Sequence, residues 1–136
     1  MAPAVPPPTV DQQHALILIV EDDAVLGSIF ARVLGSAGYE ASVTATPEAG
    51  LEKLLGVRPH AIVLDYRMPR INGLGFLYRL RRTEIDRPIP VVVVTGDVPL
   101  DDDVQAQFEE LGAHVLLKPF TPAALVDAVR LAIEAP

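Results

Sequence analysis

Short apolar runs alternate with amphipathic stretches along most of the chain. Ala15–Val20 (ALILIV), Ala61–Leu64 (AIVL), Val91–Val94 (VVVV) and Val115–Leu117 (VLL) are continuous rather than alternating. Strands read this way when helices cover both faces of a parallel sheet. Glu40–Thr44 (EASVT) is more polar and predicts an edge strand. Between these runs lie helical patterns. Val25, Leu26, Ile29, Phe30, Val33 and Leu34 form one apolar stripe, which Gly38 ends. Thr46-Pro47 and Thr121-Pro122 each set an N-cap before a first-turn proline, opening the second and fifth helices. Asn72 or Gly73 starts the third, with Phe76, Leu77 and Leu80 inward. The fourth begins within Asp101–Asp103 and turns Val104, Phe108 and Leu111 inward. Five strands and five helices in strict alternation predict one doubly wound α/β domain over residues 15–136.

Composition narrows the class. Of 136 residues, 50% are hydrophobic and 21% charged, the balance of a folded domain. Eighteen acidic against eleven basic residues give a net charge of −7, which argues against direct nucleic-acid binding. Without cysteine there are no disulfides, thiolate zinc sites or cysteine nucleophiles. The longest apolar run is too short to cross a bilayer, and no membrane association is expected. Residues 1–14 carry prolines and little to bury, and read as a disordered or polyproline-like tail. They have no basic residue ahead of an apolar core, so they do not read as a signal peptide, and a cytoplasmic protein is expected.

In an open parallel sheet, ligands bind beyond the carboxyl ends of the strands. Glu21, Asp22 and Asp23 follow the first strand, and Asp65 ends the third. Thr95 ends the fourth and Lys118 follows the fifth. Each has a simple local explanation: a cap, a turn, a strand threonine, a surface charge. Together they place several carboxylates, a hydroxyl and an ammonium on one edge. Crowded carboxylates repel unless a cation shares them, and oxygen-only ligands select a hard ion such as magnesium.

The runs Ile17–Asp23 (ILIVEDD), Leu64–Pro69 (LDYRMP), Val94–Gly96 (VTG) and Leu117–Phe120 (LKPF) agree in type, order and spacing. In these the chain resembles the receiver domain of bacterial two-component response regulators. The resemblance spans residues 15–134 and implies a flavodoxin-like sheet of order 2-1-3-4-5. It implies Asp65 as the phosphoryl acceptor from a sensor histidine kinase or phosphotransfer protein. It also implies Mg2+ held by Glu21, Asp22, Asp65 and the Arg67 carbonyl. Thr95 and Lys118 would contact the phosphoryl group, and the Lys118–Pro119 peptide would be cis. Asp23 is left as a helix cap. Arg67 and Asp97 fall where the family positions an attacking water, which implies slow self-dephosphorylation.

One position departs from the family pattern. Where receivers usually carry a Tyr or Phe three residues before the lysine, this chain has Val115. The switch is then expected to rest on the Gly96–Leu100 loop, with Gly96 as its permissive residue. Output is expected through a protein target at the face of the fourth helix, fifth strand and fifth helix. There Asp101, Asp102, Asp103, Glu109 and Glu110 favour a basic partner. Three rival readings are a receiver that serves only as a scaffold, a haloacid dehalogenase-type phosphatase and a flavin-binding module. The phosphatase wants a second Asp where Arg67 stands. A flavin phosphate would meet Glu21–Asp23. An enzyme acting on anything but its own phosphoryl group is not expected.

Overall fold

A computed structural model describes residues 12–66, 72–84, 88–96 and 101–134. The elements follow the predicted alternation: β1 (Leu16–Val20), α1 (Ala24–Ser36), β2 (Glu40–Thr44), α2 (Pro47–Lys53), β3 (Ala61–Asp65), α3 (Gly73–Thr83), β4 (Val91–Thr95), α4 (Asp102–Glu110), β5 (Ala113–Leu117) and α5 (Pro122–Glu134). All strand pairs are parallel and the order is β2-β1-β3-β4-β5.

Every residue of β3 and β4 is buried, because helices cover both faces of the sheet there. Two apolar layers result. On one face Ile17, Ile19, Val63 and Val92 pack against Phe30 and Leu34 of α1 and Leu125, Val126 and Val129 of α5. On the other, Leu18, Ile62, Leu64 and Val93 pack against Phe76, Leu77 and Leu80 of α3 and Phe108 of α4. The edge strand β2 stays half-solvated, as its composition implies.

Helix ends follow local chemistry. Asp23 Oδ1 accepts from the Val25 and Leu26 N–H groups, Thr46 Oγ1 from Ala49, Asn72 Oδ1 from Gly75 and Thr121 Oγ1 from Ala124. Gly38 takes the left-handed conformation (φ 103°) just past α1, and the Tyr39 N–H returns to Leu34 O at 3.1 Å.

Two expectations need correction. The six-residue stripe of α1 is not all inward: Val25 is 69% and Ile29 48% exposed. At about 100° per residue the stripe spans about 180° of the helix, more than one contact face can bury. Burial centres on Phe30, Leu34 and Gly27, and Val25 and Ile29 lie at the far margin. The second correction is at the tail boundary. Gln12 is only 3% exposed: its Oε1 accepts from the Tyr39 hydroxyl at 2.6 Å and its Nε2 donates to Arg130 O at 3.3 Å. The His14 N–H reaches Gly38 O at 2.9 Å. Residues 12–14 therefore belong to the domain. The remainder of the expected tail, residues 1–11, lies outside the described residues, as do Arg67, Asp97 and the rest of the Gly96–Leu100 loop after Gly96. No helix among the described residues is long and apolar enough to cross a membrane.

Candidate functional site

Parallel strands deliver their last residues to one edge, and the register fixes which side chains meet there. Val20 pairs with Leu64, so Glu21, one residue on, comes level with Asp65. Asp65 in turn pairs with Val94, and Thr95 with Leu117. The Lys118 N–H bonds Thr95 O at 2.8 Å. Glu21, Asp22, Asp65, Thr95 and Lys118 are thus gathered at the carboxyl ends of β1, β3, β4 and β5, as the sequence predicts. The Lys118–Pro119 peptide is cis. Gly96 is exposed, and the nearest atoms to the space beside its Cα belong to the Lys118 chain. Val115 is partly buried among the apolar residues on the α3–α4 face of the sheet.

Glu21, Asp22 and Asp65 each offer a carboxylate oxygen, and the three atoms lie within 4.8 Å of one another. Glu21 is 1% and Asp65 7% exposed, whereas Asp22 faces solvent. Glu21 Oε2 accepts from the Asp23 N–H at 3.3 Å. Its Oε1 is buried and receives no hydrogen bond among the described residues. Burial foremost, then the hydrogen bond and charge of Asp65 beside it, push the Glu21 carboxyl up to about 8. Two buried carboxyl groups face each other, so either a proton or a cation must lie between them. Lys118 Nζ stands 3.7 Å from Asp65 Oδ1, close enough to attract it but beyond good hydrogen-bonding distance. Among the described residues the cluster holds three carboxylates against one ammonium, and the orphaned Glu21 oxygen calls for positive charge. All the donors are oxygens, which suits a hard divalent cation.

Gly73 is a residue whose part at the site the sequence reading missed. A Cβ on it would fall 2.9 Å from Asp65 O and 2.9 Å from Tyr66 Cα. Only glycine lets the start of α3 press against the end of β3, where the Gly73 N–H bonds Tyr66 O at 2.8 Å. The Asn72-Gly73 pair was legible as a helix start, but the close approach follows only from the packing of α3 on the sheet. Asp23 spends its side chain on the α1 cap, which separates it from its two acidic neighbours.

The chain is similar in sequence and fold to known proteins. Residues 17–130 match the response regulator receiver domain family. The chain is 39% identical over 104 residues to protein-glutamate methylesterase/protein-glutamine glutaminase 1 of Anaeromyxobacter dehalogenans, covering 76% of this chain and 29% of that protein. It is 30% identical over 119 residues to the phosphate regulon transcriptional regulatory protein PhoB of Pseudomonas aeruginosa, covering 87% of this chain and 51% of that one. It therefore spans about half the length, or less, of these relatives. Among solved structures, a putative response regulator from Chloroflexus aurantiacus superposes with a TM-score of 0.80 at 29% identity, covering 90% of this chain and all of that one. The chemotaxis response regulator CheY4 of Vibrio cholerae gives 0.79 at 25% identity, covering 88% and 99%. With the doubly wound sheet, the acidic cluster at its carboxyl edge and a family match over 17–130, the chain belongs to the response regulator receiver domain family.

Proposed function

We propose that Asp65 takes a phosphoryl group from a phosphohistidine on a sensor histidine kinase or phosphotransfer protein, and that the acyl phosphate sets the output surface. The observation that carries this reading is the buried Glu21–Asp65 carboxyl pair beside Lys118 at the sheet's carboxyl edge. Magnesium fits the site, because the donors are oxygens and Glu21 Oε1 is buried without a partner among the described residues. Glu21, Asp22 and Asp65 would hold it, with the Arg67 carbonyl as the further ligand that the family resemblance implies. When bound, it supplies positive charge to the phosphoryl oxygens during in-line transfer.

The chain's own residues do the rest. An Asp65 carboxylate oxygen attacks phosphorus, the N–P bond breaks, and its electron pair returns to the partner's imidazole, which takes up a proton from solvent. The acceptor and the phosphoryl group are both anionic, so the Lys118 ammonium offsets their repulsion and stays to hold a phosphoryl oxygen. Thr95, 1% exposed at the end of β4, donates its hydroxyl to another. Water then attacks the phosphorus of the acyl phosphate, the bond to the Asp65 oxygen breaks, and inorganic phosphate leaves with the carboxylate restored. The turnover in this reading is of the chain's own phosphoryl group.

The output surface in this reading is the face of α4, β5 and α5, where an acidic α4 suits a protein partner with basic complementarity. With a net charge of −7, direct binding to nucleic acid or to an anionic membrane is disfavoured. A cytoplasmic location suits a histidine-kinase partner in this reading. Incubation with acetyl phosphate and magnesium tests the reading. Wild type gains one phosphoryl mass and Asp65→Ala gains none. Equal uptake by the variant contradicts it.

A further inference from the structure

α4 is held to the sheet by few groups. Phe108 is its one buried residue, while Val104 and the C-cap residue Leu111 are partly buried. The Phe108 ring meets the ring of Tyr66 edge to face, with centroids 5.6 Å apart and planes at 79°. Tyr66 is the residue directly after Asp65, and its backbone is gripped on both sides. Its N–H bonds Val94 O at 3.0 Å and its carbonyl accepts from Gly73 at 2.8 Å. The tight seat of Gly73 presses α3 against the same peptide. A shift of the Asp65–Tyr66 peptide is therefore passed to the Tyr66 ring rather than absorbed by loose backbone. A second tie joins the same turn of α4 to α3, where the Tyr78 hydroxyl donates to Gln107 Oε1 at 2.7 Å. On β5, Val115 belongs to the same apolar layer, but it is stiff at χ1 and has no ring to reach with. The ring contact between the acceptor end of β3 and α4 is thus Tyr66 on Phe108.

We propose that the Tyr66–Phe108 ring pair is the link by which the state of Asp65 sets the position and opening of α4, in place of an aromatic switch at residue 115. This rests on the phosphoacceptor reading. The pair acts by contact: charge added at Asp65 moves the strand end, the Tyr66 ring follows, and Phe108 carries α4 with it. By reciprocity, whatever holds α4 in the altered position favours the phosphorylated state.

Amide hydrogen exchange of α4, with and without beryllofluoride and magnesium, tests the link. Occupancy of Asp65 is read in the same samples by fluorine NMR. In wild type the α4 amides change exchange rate by about fivefold or more on binding. In Tyr66→Leu, a partly exposed position that should fold normally, occupancy persists but the α4 response falls below about twofold. Phe108→Leu gives the same loss, and the double variant adds nothing further, because both remove one contact. A full α4 response in Tyr66→Leu at equal occupancy overturns the link alone. A wild-type chain that takes no beryllofluoride overturns the phosphoacceptor reading and the link with it.

Discussion

Lys118 Nζ lies 3.7 Å from Asp65 Oδ1, reaching from the end of β5 past β4 to the end of β3. The Lys118 side chain is 29% exposed, so the attraction is partly screened by water and holds little of the fold together. In the proposed reading its value lies in the charge that develops during transfer. Lys118→Met should change stability by less than about 1 kcal/mol. The same substitution should slow phosphorylation by acetyl phosphate on the order of 100-fold. Denaturant melts and phosphorylation kinetics separate the two effects, and a variant that unfolds readily but reacts normally would reverse the assignment.

The Glu21 carboxyl gives the ligand-free protein an unusual pH dependence. Its ordinary value of 4.5 rises to about 8 in the fold, through burial first and the Asp65 carboxylate second. Between those values the folded chain holds a proton that the unfolded chain has lost. The stabilisation is complete below 4.5 and is lost as pH rises towards 8. Tm without divalent cation should therefore fall between pH 5 and pH 8.5, and Glu21→Gln should flatten that slope. Magnesium should restore Tm most strongly at the upper end, since its binding needs the carboxylate ionised. Thermal melts with and without EDTA measure both trends.

Asp22 and Asp23 are neighbours with separate duties. Asp22 joins Glu21 and Asp65 in the acidic cluster, whereas Asp23 accepts from the Val25 and Leu26 N–H groups at 2.9 and 3.1 Å. Asp22→Asn should weaken magnesium binding about tenfold or more, in line with a lost ligand charge. Asp23→Asn should leave it nearly unchanged, because asparagine caps a helix as well as aspartate. Calorimetric titration of the two variants distinguishes the roles.

Gln12 seals one end of the α1–α5 layer. Its carboxamide accepts from the buried Tyr39 hydroxyl and donates to the Arg130 carbonyl. Gln12→Ala should cost about 1–3 kcal/mol, the penalty for a buried group left unpaired. Adding Tyr39→Phe removes the orphaned hydroxyl and should recover part of that loss. Urea denaturation of the single and double variants gives the coupling.

The sequence carried the architecture because each level of signal agreed. Continuous apolar runs marked β3 and β4, which are buried throughout, and Asp23, Thr46, Asn72 and Thr121 capped helices where local chemistry said they would. The site's members were legible because parallel strands bring their ends to one edge. What escaped notice depends on contacts between distant segments. The outward turn of Val25 and Ile29 depends on how wide a face the sheet covers. The burial of Gln12 depends on Tyr39 and Arg130, 27 and 118 residues away. The Tyr66–Phe108 contact depends on where α4 settles. Periodicity reports that a residue has an apolar neighbour, not which one it is.

In the proposed function Asp65 is the acceptor and its acidic neighbours serve a divalent cation. Peptide mapping by mass spectrometry, after incubation with acetyl phosphate in magnesium or in EDTA, tests both at once. One phosphoryl group on the peptide containing Asp65 in magnesium, and none in EDTA, is the predicted result. Phosphoryl groups on any other residue, or equal modification of Asp65 without the cation, would contradict the account.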